Sequence, residues 1–291
     1  MTAVSVRAVE RNAHKATRPM RPGRWIVLGV LVVVVLLVLA PFVLVVLNAV
    51  KSPAEYSTNG PLALPDGLHL SGVADFWQRV DFSRKLLNSA VISGTVAVLA
   101  VVFSMLNAYA LGIGRVRGRN FFLAAFLVAN LVPQESLVYP LYYLAKLVDL
   151  YDTEVAVIVI FTAIQSAFGT FLLSSVLASF PTELLDAAAM DGAGRLRTLW
   201  KVVVPVSRPT LGVLFTFFFV WTWNELFIPL IFLISNEHQT VPVALGVLQG
   251  ERMMDATTTS ASALLGIAPA VLFFLVFQRT LTRGVMAGAV K

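Results

Sequence analysis

The chain has 291 residues, of which 58% are hydrophobic and 13% charged, and its mean hydropathy is +0.82. A soluble domain carries about 25% charged residues, so the composition excludes an ordinary water-soluble globule and points to the bilayer as solvent. A net charge of +6 raises nucleic acid as a partner, while the absence of cysteine excludes disulfides, thiolate metal sites and a cysteine nucleophile.

The chain opens on a basic arm, residues 1–24, carrying Arg7, Arg11, Lys15, Arg18, Arg21 and Arg24. The uncharged run 25–50 that follows is longer than the apolar core of a signal peptide and leads to no A-x-A site, so it is expected to be a retained span. Further stretches with little or no charge cover 86–114, 121–145, 155–182, 209–236 and 256–278. Each exceeds the ~20 residues that a helix needs to cross a hydrocarbon core. In lipid a backbone must satisfy its own hydrogen bonds, so these stretches predict an all-α polytopic protein with six transmembrane helices. The short alternating segments of a membrane β-barrel are absent from the sequence.

Lys and Arg are spread unevenly over the connecting segments. The arm, the second loop (Arg115, Arg117, Arg119), the fourth loop (Arg195, Arg197, Lys201, Arg208) and the tail (Arg279, Arg283, Lys291) hold the larger share. The other loops hold Lys51, Arg79, Arg84, Lys85, Lys146 and Arg252. Positive charge marks the cytoplasmic side, so both termini are expected inside and residues 25–291 form the transmembrane domain. The arm then reads as a topology signal in contact with membrane lipid, and nucleic acid is not expected as a partner.

Residues 51–85 read as a long external loop rich in Pro and Gly. In the second span Ser104, Ala108 and Gly112 recur every four residues, which predicts a flat, closely packed seam. Pro41, Pro133, Pro229 and Pro269 are expected to kink their spans. His14, His69 and His238 lie far apart and show no ligand spacing, so no metal site and no catalytic constellation is expected.

The loop 179–209 is the most informative stretch. Thr182 is a candidate N-cap, with Glu183 and Asp186 in the first turn, where acidic groups complement the helix dipole. Leu184, Leu185, Ala187 and Ala188 supply an apolar stripe, and Gly192 is a natural stop. A second short helix is expected from about Leu196 to a point before Pro205. Two readings of this helix–turn–helix compete: a knob that docks in a partner's groove, and a connector that rests on lipid headgroups.

The run Asp186-Ala187-Ala188, then Gly192, then Val202-x-Val204-Pro205 resembles the Glu-Ala-Ala loop of ABC importer permeases, with the same three-residue and nine-residue gaps. Asp replaces the first Glu, Val replaces Ile and Leu, and the family's Asp-Gly-Ala stands here as Asp191-Gly192-Ala193. The resemblance implies a coupling helix at Glu183–Asp191 that docks on a separate ATPase, with Gly192 as its turn. It also implies a second permease subunit, two P-loop ATPase subunits and an extracytoplasmic binding protein in a plasma or inner membrane. The chain has no Gly-x4-Gly-Lys-Ser/Thr stretch of its own, so ATP is expected to be used by the partner and no cofactor is expected on this chain.

Several shorter strings resemble the carbohydrate branch of that family, in particular the smaller permease of maltose-type systems. They are Lys51-Ser-Pro-Ala-Glu55, Asn88-Ser89, Ala108-Tyr-Ala-Leu111, Pro133-Gln-Glu135, Pro140-Leu-Tyr142 and Trp223-Asn-Glu225. The resemblance implies a sugar importer with a heterodimeric permease. Amino acid, phosphate or peptide import is the alternative within the family, and a secondary transporter is the alternative outside it.

At ~1.5 Å per residue, Glu135 lies ~21 Å along a continuous third span and Glu225 lies at a similar depth in the fifth. A carboxylate at such depth costs about 2.5–3.5 kcal/mol and usually faces water. Gln134, Glu135, Gln165, Trp223, Asn224 and Glu225, with Trp221, are therefore candidates for the substrate pathway. The competing reading is that these polar groups hydrogen-bond helices together.

Overall fold

The computed structural model describes residues 22–114, 116–250 and 255–289, and among these every regular element is helical. The basic arm up to Arg21, with His14, lies outside the described residues, as do Arg115, Arg252 and Lys291. Among the described residues five helices are long and apolar enough to cross a membrane, and a sixth span results if one bent pair is counted as a unit.

The first helix, α1 (Pro22–Ala49), exposes apolar side chains from Trp25 to Phe42 and packs against the helix 256–289, with Asn48 and Ala49 buried at its C-terminal end. The segment 51–85 is more ordered than its Pro and Gly content predicts, because it folds into α2 (Pro53–Asn59) and α3 (Ser71–Arg79). The Lys51 side chain is fully buried, and its ammonium donates to Asn48 Oδ1 (3.0 Å) and to the Gly60 and Pro61 carbonyls (3.1 and 3.4 Å). Three donors thus meet three acceptors, which offsets the cost of burying the charge. Ser52 caps α2 by accepting from Glu55 N, and Pro53 occupies the first turn, where its missing N–H costs nothing. The Lys51–Glu55 string is therefore a folded corner.

The centre of the molecule is the pairing of α4 (Phe82–Gly112) with α7 (Glu154–Leu177), onto which α10 (Val204–Asn224) packs. The expected small-residue seam is present. Ser104 and Ala108 are buried, and a Cβ added to Gly112 would lie 2.9 Å from Leu177 Cβ. At the Phe82 end of α4, Asn88 donates to the Glu237 and Gln239 carbonyls (2.7 and 3.0 Å), and Ser89 Oγ accepts from Val241 N (2.9 Å). The buried Lys85 ammonium donates to the Asn236 carbonyl beside them. The Asn88-Ser89 pair thus fastens the 236–241 loop to α4.

Two expected spans are interrupted. The third is α5 (Arg119–Leu131) followed by α6 (Gln134–Leu147), with a 97° bend between them. Pro133 removes a donor and forces Val132 into extended backbone (φ −72°, ψ 121°). The fifth begins earlier than expected. The short helix predicted to stop before Pro205 instead runs from α9 (Arg195–Thr198) through a π-helical turn, Leu199–Val203, directly into α10. The wide π turn receives Pro205, whose ring a regular turn would drive against the carbonyl four residues back.

At the other end, α10 stops at Asn224 and the chain resumes as α11 (Phe227–Phe232). Pro229 interrupts the span at Glu225, four residues before it, rather than kinking it at its own position. Pro41 and Pro269 lie inside helices that continue through them, the latter in α13 (Ala256–Ala289), which follows α12 (Val241–Gly250).

Candidate functional site

Two places gather the residues singled out in the sequence. The first is α8 (Thr182–Met190), which follows α7 by a short turn at the Gly112 end of α4. Thr182 is the first helical residue, not the cap. The cap position is Pro181, which makes no side-chain bond, so Glu183 in the first turn is the group that complements the dipole. The helix ends as the sequence requires. Gly192 adopts φ 70°, its N–H donates to the Ala189 carbonyl (3.0 Å), and Ala193 N donates to the Ala188 carbonyl (2.9 Å). Those paired bonds form a Schellman stop, whose left-handed residue is glycine.

α8 is seated through Ala188, which is buried, and Leu185, which packs against the core around Leu173, Leu199 and Phe218. Tyr109 OH donates to the Arg195 carbonyl (3.1 Å) and ties the end of α4 to the far side of the turn. Glu183, Asp186, Ala187, Asp191 and Gly192 are all exposed on this projection, while Pro205 stands apart in the first turn of α10. The sequence reading missed the most exposed apolar groups here, Met190 at 89% and Leu196 at 70%. Apolar residues among charged neighbours in a loop were the available signal. A short helix presenting Leu184 and Met190, with Leu196 exposed beyond its turn and a rim of carboxylates, is suited to a groove on another protein.

The second place is the pair of breaks at Val132–Pro133 and Glu225–Leu226. Glu135 is not at a fixed depth of a straight helix as expected. It lies in the first turn of α6, exposed, where the helix dipole favours its charge. Gln134 lines a cavity of about 470 Å³ together with Asn130, Trp221 and a mostly apolar wall that includes Leu141 and Ile160. Beyond the end of α10, Glu225 is extended (φ −75°, ψ 126°), and its Oε1 accepts from Phe227 N (3.1 Å) at the start of α11. Asn224 is exposed and donates to the Val220 carbonyl (2.7 Å).

The remaining candidates are placed differently. Gln165 is fully buried, and its Nε2 donates to Thr222 Oγ1 (2.8 Å), linking α7 to α10. Trp223 is buried and stacks on Phe219 (5.7 Å between centroids), which in turn stacks on Phe273 of α13 (3.8 Å). These two join helices, whereas Glu135, Asn224 and Glu225 stand at free helix ends.

Comparison with known proteins adds four findings. Residues 101–286 match the family model described as binding-protein-dependent transport system inner membrane component. The chain is 27% identical to the melibiose/raffinose/stachyose import permease protein MelC of Bacillus subtilis, over 86% of this chain and 91% of that one. It is 32% identical to the trehalose transport system permease protein SugB of Mycobacterium tuberculosis, over 72% of this chain and 77% of that one. Its fold is similar to that of a chain in the crystal structure of a bacterial ABC transporter involved in the import of the acidic polysaccharide alginate. That pair superposes with a TM-score of 0.77 at 20% identity, covering 96% of this chain and 98% of the other.

Proposed function

The chain belongs to the binding-protein-dependent transport system inner membrane component family, as a multi-pass permease subunit of an ABC importer in the plasma membrane, and from that premise we propose that its cargo is a carbohydrate and that α8 couples it to a separate ATPase. The observation that carries the coupling role is the exposed α8 projection closed by the Gly192 stop, at the spacing of the family loop. The carbohydrate reading is supported by the sugars named for its relatives.

In this account both termini and the 179–209 loop are cytoplasmic, residues 1–24 act as a topology signal, and 25–291 make up the permease domain. Two P-loop ATPase subunits hydrolyse ATP, and this chain binds no cofactor of its own. A second, non-identical permease completes the pathway, and an extracytoplasmic sugar-binding protein delivers cargo to it. Closure of the ATPases pulls on Glu183, Asp186, Ala187, Ala188, Asp191 and Gly192 as one rigid body. Beyond the turn that closes α8, the π turn joins α9 to α10 in one continuous helical run through Pro205, which carries a displacement at that turn to Asn224, the last residue of α10. Glu135, Asn224 and Glu225, with Gln134 beside them, face the pathway at the two breaks, while Gln165 and Trp223 hold the helices that carry those ends.

A detergent pull-down of the tagged chain from its native membranes tests the assembly, with mass spectrometry of what co-purifies. Recovery of a P-loop ATPase and a second, different permease is the expected result. Recovery of the chain with copies of itself alone, under conditions that keep a control importer intact, would refute the heteromeric assembly.

A further inference from the structure

α6 carries a second feature that the roles above leave unused. Its inner face, Val138, Leu141, Tyr142 and Ala145, packs against α7 and α11. Its outer face carries Glu135, Tyr139 and Tyr143, four residues apart, all exposed, with Tyr139 at 71% and Tyr143 at 56%. At 3.6 residues per turn these three advance by only ~40° per step, so they form one stripe ~12 Å long. The two rings stand edge to face with centroids 4.9 Å apart, and Tyr139 OH donates to Tyr143 OH (3.2 Å).

We propose that the Glu135–Tyr139–Tyr143 stripe of α6 is a carbohydrate platform in the wall of the translocation pathway, on which the rings of the cargo stack as they pass; this rests on the carbohydrate reading given above. A stripe headed by a carboxylate does not belong against hydrocarbon, where that charge costs about 2.5–3.5 kcal/mol. Close helix packing in a membrane favours small residues, and two projecting tyrosines hold a neighbouring backbone away. What remains is a wetted face. An aromatic ring presents a negative face to which the slightly positive C–H groups of a pyranose are drawn. After the mutual bond, one phenol O–H and several lone pairs remain free for sugar hydroxyls, and the Glu135 carboxylate accepts from vicinal hydroxyls more strongly than a neutral oxygen does. A stripe ~12 Å long accommodates more than one ring along its axis. Stacking of this kind is indifferent to which hydroxyls are axial, so the stripe favours rings as a class and leaves the choice of sugar to other residues.

The chain contains no cysteine, so a single introduced cysteine reports its surroundings without background from this subunit. Glu135→Cys, Tyr139→Cys and Tyr143→Cys are made one at a time, with Leu36→Cys, exposed in the middle of the uncharged helix α1, as a control for the lipid side. The assembled importer in membranes is treated with a membrane-impermeant maleimide, and labelling of the tagged chain is read on a gel. Labelling at all three stripe positions, absence of labelling at Leu36→Cys, and loss of stripe labelling when binding protein loaded with melibiose or trehalose is added with ATP are the expected results. Stripe cysteines that resist the reagent in the complex, or that cross-link to the second permease, would overturn the proposal by showing a packed interface. Labelling that is lost only with an amino acid, phosphate or peptide cargo would retain the wetted wall but refute both the ring platform and the carbohydrate reading.

Discussion

Gly169 in α7 and Ser104 in α4 meet with no room between them for a methyl group. A Cβ built on Gly169 would lie 2.8 Å from Ser104 Cβ and 2.9 Å from Phe218 Cζ, closer still to Ser104 Oγ. The contact joins α4, α7 and α10, so the geometry of the whole bundle depends on it.

Gly169→Ala is therefore expected to overpack the seam at a cost of about 1–3 kcal/mol. Thermal unfolding of the purified subunit in detergent reads the effect as a lowered Tm. Ser104→Gly in the same chain should recover part of it and Phe218→Leu the rest, because the clash has two sources. An unchanged Tm in Gly169→Ala would mean that the helices are not held this closely.

Gly192 calls for a different outcome. A Cβ there would meet open space, but the backbone is left-handed at φ 70°. Gly192→Asp should leave assembly intact, since aspartate is among the few residues that visit this conformation, while placing a side chain and a charge at the end of α8. Basal ATPase activity of the complex is expected to survive, with stimulation by loaded binding protein lost. Normal stimulation would remove α8 from the coupling role.

Gln165 and Thr222 form a buried pair between α7 and α10, with Gln165 Oε1 left without a partner. Thr222→Val leaves the amide with no acceptor, and polar bonds between membrane helices average about 0.6 kcal/mol and reach about 1.7. A loss of stability in that range is expected, with uptake KM unchanged. The double variant Gln165→Leu/Thr222→Val should recover stability. A raised KM in Gln165→Leu with unaltered Tm would instead return Gln165 to the pathway.

How much of this was legible in advance depended on whether the cause was local. The helical spans, the α4 seam at Ser104 and Ala108, and the glycine stop at Gly192 follow from residues within a turn or two of one another. The breaks at Val132 and Glu225 were harder to read. A proline in an apolar run signals disruption, but the helix ends at Pro133 and continues through Pro41, Pro205 and Pro269, and only at Pro205 does a widened turn precede it. Gln165 and Trp223 are candidates from sequence because they are polar or aromatic in an apolar span. Thr222, the partner of Gln165, and Phe273, which Trp223 meets through Phe219, each lie on another helix and had no local sign. The Lys51 and Asn88 strings, recognisable by resemblance, carried no local sign that their targets are carbonyls, at residues 60–61 and 237–239 respectively.

Asp255 heads α13, where its Oδ1 accepts from Thr257 N and Thr258 N (both 2.9 Å) and from Thr257 Oγ1 (2.6 Å). Burial pushes its carboxyl up, but the bonds from Thr257 and Thr258 outweigh that and hold it below its ordinary value. A depressed carboxylate adds stability that is fully present above the unfolded-state value and is lost as pH falls through the folded one. Asp255→Ala should lower stability by about 1 kcal/mol at neutral pH. Asp255→Asn should keep the cap and flatten the decline in Tm below the ordinary carboxylate range. A decline identical to that of the unaltered chain would place the acid-sensitive group elsewhere.

The most direct test of the carbohydrate-importer reading is uptake by the co-purified complex in proteoliposomes, with binding protein on one side and ATP supplied to the other. Labelled melibiose, raffinose and trehalose are offered beside a labelled amino acid, phosphate and a peptide. ATP-dependent accumulation of a sugar, abolished when the ATPase subunits are left out, is the predicted result. Accumulation of a non-carbohydrate solute alone, or sugar uptake that persists without the ATPase, would contradict it.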